Sequence, residues 1–209
     1  MSLGEPSLAG IARLLAILAG CFFVGAVNPA ALVARALGKD VRGSGSKNPG
    51  ATNAGRVLGV RWGVVVLLLD VAKGFLPTVL LVRHVGPWVA LAGSLFVVLG
   101  HMFSPYLRGR GGKGVATTLG ALLALEPWVA LGALVVFGIA YAVLRYVGLA
   151  SAAVALGLVL TGVLAAFGAV TSIPRAMGWW LAIVGAIVLV RHRDNLRAWR
   201  RARSIANAG

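Results

Sequence analysis

The feature that most constrains this chain is a succession of apolar runs, each long enough to cross a bilayer and separated by short polar pieces. Spanning a hydrocarbon layer of about 30 Å takes about 20 helical residues. Leu8–Leu37, Trp62–Val82, Pro87–Leu107, Trp128–Leu144, Leu149–Val170 and Ala176–Val190 are such runs or approach that length. Hydrophobic residues make up 59% of the 209-residue chain and charged residues 12%, against about 45–50% and 25% in soluble domains. Too few polar side chains exist to coat a soluble globule, and far too much apolar surface for a disordered chain. The expected class is an all-α integral membrane protein.

The first run carries Arg13 and the Asn28-Pro29 pair. Glu5 precedes Arg13 and the run continues past any small-residue cleavage point, so a retained anchor helix is expected rather than a signal peptide. Between Leu107 and Trp128 lies an eleven-residue piece, Val115–Leu125, followed by Glu126-Pro127. As a helix it rises only about 17 Å. It either merges with Trp128–Leu144 into one kinked span, giving six crossings, or crosses alone, giving seven.

Charge arbitrates. Of 20 Lys and Arg, against 5 Asp and Glu, sixteen from Arg35 onward fall on one side if there are seven crossings. Only Arg13, Lys73, Arg83 and Arg175 lie elsewhere. Six crossings would put the RHRDNLRAWRRAR tail outside, against the positive-inside rule. Seven transmembrane helices are therefore expected, with the N-terminus outside, the C-terminus cytoplasmic and a short fourth helix starting near Lys113. The domain would be 1–195, followed by a basic tail, 196–209. The net charge of +15 is then mostly topological and requires no nucleic-acid partner, while still attracting anions to the cytoplasmic face. Taken alone, the tail, with Leu196 and Trp199 among its arginines, suits an interfacial helix on anionic lipid.

Polar chemistry concentrates in a few segments. Residues 39–59, KDVRGSGSKNPGATNAGRVLG, gather Gly, Ser, Asn and Thr in a chain otherwise built of Leu, Val and Ala. Such a stretch can fold its backbone N–H groups into a nest for an oxyanion. Ser44, Ser46, Asn48, Thr52 and Asn53 would add neutral donors, and Arg42, Lys47 and Arg56 charge. The competing reading is a plain connector. Residues 108–120, RGRGGKGVATTLG, lead a glycine turn straight into a helix, where an anion meets unpaired N–H groups and Lys113. The P-loop pattern is not matched, because Gly114 follows Lys113 and no strand precedes it. Arg145–Ser151 joins two spans on the same side, and Arg191–Asn195 places His192 and Asn195 three residues apart, where they are expected to share a helix face. Asp70 and Lys73 stand one turn apart and are expected to pair inside the bundle. Cys21, the only cysteine, is expected to be a small core residue.

Absences narrow the chemistry. Five residues beyond His84, His101 and His192 stand Val89, Tyr106 and Arg197, so the His-x4-Asp pair that acyltransferases acting on glycerol phosphates often use is missing. HExxH, paired cysteines for metal and GxSxG are missing as well.

In order along the chain, the blocks KDVRGSGSKNPGATNAGRVLG, LLLDVAKG, GHMFSPYLRGRGGKGVATTLG, RYVGLAS and RHRDNL resemble the PlsY family, the bacterial membrane acyl-phosphate:glycerol-3-phosphate acyltransferases. The resemblance runs from Asn28-Pro29 to Asn195. It implies seven helices and transfer of a fatty acyl group from acyl phosphate to sn-glycerol-3-phosphate, giving lysophosphatidic acid and inorganic phosphate for phospholipid synthesis at the bacterial cell membrane. It also implies a cytoplasmic active site, a monomer, and no metal, CoA or carrier protein. By position it implies that Ser46, Arg56, Lys113, Ser151, His192 and Asn195 line the active site, and that the backbone at Gly45, Asn48, Gly50 and the Gly111-Gly112 turn cradles phosphate. Two departures stand out. Where the family usually reads GSGNxGATN this chain has Lys47 for a glycine, and where it usually reads YVSLxS this chain has Gly148 for the first serine.

Two basic, glycine-rich segments suit two phosphate substrates. An acyl phosphate is already activated, so orientation supplies much of the rate, with Lys113 and Arg56 neutralising phosphate and Ser46 or Ser151 donating to the oxyanion. No carboxylate in these blocks polarises His192, which favours proton transfer to the leaving phosphate over His192 as base. The alternative function is a transporter or channel for a phosphate-bearing anion. It predicts an inverted repeat and polar groups at mid-membrane, neither of which the sequence displays.

Overall fold

The computed structural model describes residues 7–206, so Glu5 and the last three residues of the tail lie outside the described residues. Every described regular element is helical. The chain divides into two compact units, one ending at Leu125 and one beginning at Glu126.

The first unit holds α1 (Leu8–Ala26), α2 (Pro29–Ala36), α3 (Ala51–Leu58), α4 (Val60–His84), α5 (Pro87–Met102) and α6 (Val115–Leu125). The apolar run expected as a single anchor is two helices. Val27 closes α1 and Asn28 caps α2, its Oδ1 accepting from the Ala31 N–H at 2.8 Å, and Pro29 takes the first helical position, where its missing N–H costs nothing. The segment 39–59, read as a loop, contains α3. Pro77 lies inside α4, and Thr78 Oγ1 donates to the Gly74 carbonyl at 2.6 Å, beside the interruption.

Glycine sets how closely these helices approach. Gly25 on α1 lies against the Val97 backbone of α5, while Gly100 on α5 lies against the Phe22 carbonyl of α1. Gly74 on α4 meets the Thr117 carbonyl of α6, and Gly120 on α6 meets the Val71 carbonyl of α4. A methyl group at any of these four positions would overlap backbone. In hydrocarbon, where exclusion of water gives no drive between helices, such close packing is the main source of association. Around α2, α3 and α4, the buried Ala30, Ala34, Val41, Ala54, Leu58 and Val66 form a separate small-residue core.

The second unit holds α7 (Pro127–Leu144), α8 (Val147–Ala166), α9 (Arg175–Arg191) and α10 (Arg193–Ala206). Gly162 of α8 and Gly178 of α9 repeat the reciprocal glycine packing. By contrast α7 buries only Ala130 and exposes Leu131, Val135, Ile139 and Val143. Across both units the long helices leave Leu and Val outward, the surface expected of helices bathed in lipid.

Among the described residues, five helices are long and apolar enough to cross a membrane, and α9 with α10 makes a sixth candidate if the pair, bent by 44°, is one span. α6 is a separate apolar helix of 11 residues. It starts two residues after Lys113, and Glu126 separates it from α7.

Candidate active site

In the first unit, residues 39–50 form a compact turn organised by the side chain of Asn53, which is buried on α3. Its Oδ1 accepts the Ser46 N–H at 2.8 Å, and its Nδ2 donates to the carbonyls of Val41 at 2.7 Å and Ser44 at 3.1 Å. Gly45 has φ +61° and no room for a methyl group beside Asn53 Oδ1, so glycine is required there on both counts. Asn28 reaches across from the α1–α2 break, its Nδ2 donating to the Pro49 carbonyl at 2.9 Å. Lys47 adopts φ +57°, a left-handed conformation that a glycine holds without strain and a lysine does not.

The amides of this turn are largely engaged within it. The Ser46 N–H serves Asn53, the Lys47 N–H donates to Ser44 at 3.1 Å and the Gly50 N–H to Asn48 at 2.9 Å. Ser46 is exposed, Asn48 and Gly50 half-buried, and Arg56 exposed in the last turn of α3.

The second glycine segment is pinned onto the end of α5. Ser104 Oγ donates to the Ala26 carbonyl at 2.6 Å, and a short 3-10 turn, Pro105–Leu107, leads to the left-handed Arg108 and Gly109. The chain then doubles back. Gly111 N–H donates to the Met102 carbonyl at 3.0 Å and Gly112 N–H to the His101 carbonyl at 3.1 Å. Side chains are barred at both: a methyl group at Gly111 would strike those carbonyls, and one at Gly112 the His101 imidazole. Lys113, half-buried, and Gly114 with φ +84° follow, and α6 begins at Val115. The first N–H groups of α6 point back along its axis toward this turn. The two segments meet where Arg42 Nη2 donates to the Leu107 carbonyl at 3.5 Å. An open cavity of about 340 Å³ beside the first segment is walled by Arg35, Lys39, Asp40 and Arg42.

In the second unit, α9 ends at Arg191 and α10 begins at Arg193, so His192 sits in the bend and does not share one continuous helix face with Asn195. His192 is buried, and its Nδ1 lies 2.8 Å from the Val188 carbonyl. A carbonyl only accepts, so Nδ1 carries a ring hydrogen and donates it there. Asn195 packs its amide against Gly148, where a methyl group would overlap Asn195 Nδ2 and come 2.8 Å from its Cγ. Gly148, the departure from the family pattern, is thus the space that Asn195 fills. Ser151 is buried three residues further along α8. An apolar groove of about 270 Å³ between α7 and α8, lined by Gly132, Ala133, Val136, Val154, Gly157 and Thr161, begins one turn beyond Ser151.

Ser46, Arg56 and Lys113 therefore belong to the first unit, and Ser151, His192 and Asn195 to the second. Sequence reasoning counted Asn53 only as one donor among several and took Asn28 for a helix interruption. Asn53 is the buried hub of the first turn and Asn28 its outer strut. A lone amide among small residues, as Asn53 is in Ala51–Leu58, is the signal that could have marked such an anchor, since a buried amide needs partners.

The chain matches the family model described as glycerol-3-phosphate acyltransferase over residues 15–202. Among curated relatives named glycerol-3-phosphate acyltransferase, one from Geobacter sulfurreducens is 41% identical over 189 residues, covering 89% of this chain and 93% of the relative. Another, from Myxococcus xanthus, is 45% identical over 163 residues, covering 76% and 81%. A crystal structure of PlsY, an integral membrane glycerol 3-phosphate acyltransferase, in its glycerol 3-phosphate form superposes with a TM-score of 0.83 at 35% identity, covering 91% of this chain and 94% of that one. The lysophosphatidic acid form gives 0.81 at 34%, covering 91% and 93%.

Proposed function

The chain belongs to the glycerol-3-phosphate acyltransferase family, and from that premise we propose that acyl phosphate is the acyl donor of this multi-pass membrane enzyme of phospholipid synthesis. One observation carries the reading. Two glycine-rich turns carrying Arg42, Arg56 and Lys113, each held by a buried side chain and joined where Arg42 meets Leu107, lie in one unit, which supports a reaction between two phosphate esters.

In the proposed reaction the primary hydroxyl of glycerol-3-phosphate attacks the carbonyl carbon of the acyl phosphate. A new C–O ester bond forms, the C–O bond to phosphate breaks, and inorganic phosphate leaves carrying the hydroxyl proton. The mixed anhydride is already activated, so no covalent enzyme intermediate is needed. Correct orientation alone contributes up to about 7–11 kcal/mol. Arg56 and Lys113 neutralise phosphate charge, and Ser46 or Ser151 donates to the carbonyl oxygen as it becomes an oxyanion. His192 serves as a binding donor that orients the substrate. Its Nδ1 hydrogen is held by the Val188 carbonyl, and the leaving phosphate takes the proton. Backbone at Gly45, Asn48, Gly50, Gly111 and Gly112 shapes the cradles. The α7–α8 groove runs down the side of α8 that carries Ser151, a path for the acyl chain. A transporter of phosphate-bearing anions is not favoured, because the relatives are acyltransferases.

For topology we propose seven crossings, α1, α4, α5, α6, α7, α8 and α9, with α6 short enough to thin the bilayer locally. The N-terminus is then outside the cytoplasmic membrane and the active site faces the cytoplasm, with residues 1–195 acting as a single monomeric domain ahead of the basic tail.

The test is purified protein with glycerol-3-phosphate and, in parallel, acyl phosphate, acyl-CoA and acyl carrier protein. Lysophosphatidic acid and inorganic phosphate forming with acyl phosphate alone is the expected result. Turnover with the thioesters instead refutes the donor assignment.

A further inference from the structure

One polar cluster in the first unit has no part in the chemistry above. Asp70, Lys73 and His101 are all nearly buried among apolar helices, their side chains 2%, 9% and 4% exposed. Ionisable groups placed there are costly and mark function by default. A self-contained ion pair would satisfy itself, but this cluster reaches outward to both glycine-rich segments.

Asp70 Oδ1 lies 2.8 Å from Lys73 Nζ and 3.4 Å from His101 Nδ1. Lys73 Nζ also donates to the Val27 carbonyl at 2.8 Å. Val27 closes α1 and precedes Asn28, whose amide donates to Pro49 in the first segment. On the other side, the His101 ring lies against Gly112 and the His101 carbonyl accepts the Gly112 N–H. Ser104, three residues on, donates to Ala26 and completes the tie between α5 and the end of α1. A single carboxylate thus stands behind both segments, through Lys73 to the first and through His101 to the second.

We propose that Asp70, Lys73 and His101 form a positioning network that holds the two phosphate-binding segments in register, with His101 as the direct support of the Gly111-Gly112 turn. The proposal rests on the reading that these segments bind the two phosphate substrates. The three act as positioning residues, so their effect is on binding geometry.

The test uses the full chain purified in detergent, with steady-state kinetics in both substrates and thermal unfolding in parallel. Wild-type turnover tests the functional reading first: an inactive wild type defeats that reading, whereas the network is judged only on an active one. Asp70→Asn and Lys73→Met are expected to raise KM for at least one phosphate substrate about tenfold or more, the usual scale for a lost supporting contact, with a much smaller change in kcat. Lys73→Arg, which keeps the charge and the reach to Val27, is expected to retain near wild-type KM. The double variant Asp70→Asn with Lys73→Met, which removes both charges, is expected to recover thermal stability while keeping the raised KM. Overturning results are a double variant with wild-type KM, or single variants that lose stability and kcat together with KM unchanged. Where a single variant does not yield folded protein, the double variant and Lys73→Arg carry the decision.

Discussion

Replacing Lys47 with glycine is expected to stabilise the protein without harming its activity. Lys47 holds φ +57° on an exposed turn. A left-handed conformation costs an L side chain about 1–2 kcal/mol. Glycine removes that strain but is freer in the unfolded chain, returning about 0.5–1 kcal/mol. The net gain is then about 0.5–1 kcal/mol, which for a chain of this size raises the apparent melting temperature by about 1–4 °C. A substitution series separates strain from charge. Lys47→Asn is expected to gain part of the increment, because asparagine tolerates this region better. Lys47→Ala removes the charge and keeps the strain, so it is expected to leave stability near wild type. Thermal unfolding in detergent, followed by tryptophan fluorescence, reads all four proteins. If alanine stabilises as much as glycine, the benefit comes from removing charge and the conformational reasoning is wrong. If glycine lowers stability, the turn does not adopt this geometry.

Asn53→Ala removes three hydrogen bonds from the first turn and is expected to cost about 2–4 kcal/mol with a raised KM for a phosphate substrate. Asn53→Asp keeps the acceptor for Ser46 and is expected to fall between, as unfolding and kinetics together would establish. Gly120→Val forces α6 off the Val71 carbonyl of α4 and is expected to destabilise by about 3 kcal/mol or more. Wild-type melting behaviour would disprove the close α4–α6 packing. Gly148→Val displaces the Asn195 amide, so its kinetic defect is expected to match that of Asn195→Ala, with no further loss when the two are combined. Gly157→Leu fills the groove between α7 and α8 and is expected to shift preference toward shorter acyl phosphates. Unchanged chain-length preference removes the groove from the acyl path.

The parts of this protein that were legible in the sequence are those set by one local rule. Apolar runs bounded by Pro and Gly gave α4, α5, α7, α8 and α9 to within a few residues. The i,i+3 spacing of Asp70 and Lys73 gave their ion pair. What was not legible depends on contacts far apart in the chain. α3 is a short helix in a Gly-, Asn- and Thr-rich stretch of low helix propensity, and it exists because Ala54 and Leu58 pack against Ala30, Ala34 and Val66. Asn53, Asn28 and His101 each act over separations that no motif records. The bend at His192 breaks a helix that composition alone would run on into the arginine-rich tail.

Glycine explains why the two kinds of information diverge. Its abundance in this sequence has two physical causes that look identical residue by residue. At Gly74, Gly100 and Gly120 it is there for lack of volume, letting helices touch backbone to backbone inside lipid. At Gly45, Gly109 and Gly114 it is there for positive φ, letting the chain reverse in the polar turns. Neighbours separate the cases only in part: Gly45 and Gly109 sit among Ser, Arg and Lys, but Gly74 follows Lys73, and Gly59 and Gly168 hold positive φ among Val, Leu, Phe and Ala. Gly111 and Gly112 follow neither rule. They sit in a basic turn, yet glycine is needed there for lack of volume, because the turn folds back onto the carbonyls of α5 and the ring of His101. The second glycine-rich segment is therefore built as tightly as a helix interface, so that even a single methyl group at Gly112 must move the His101 ring or the turn.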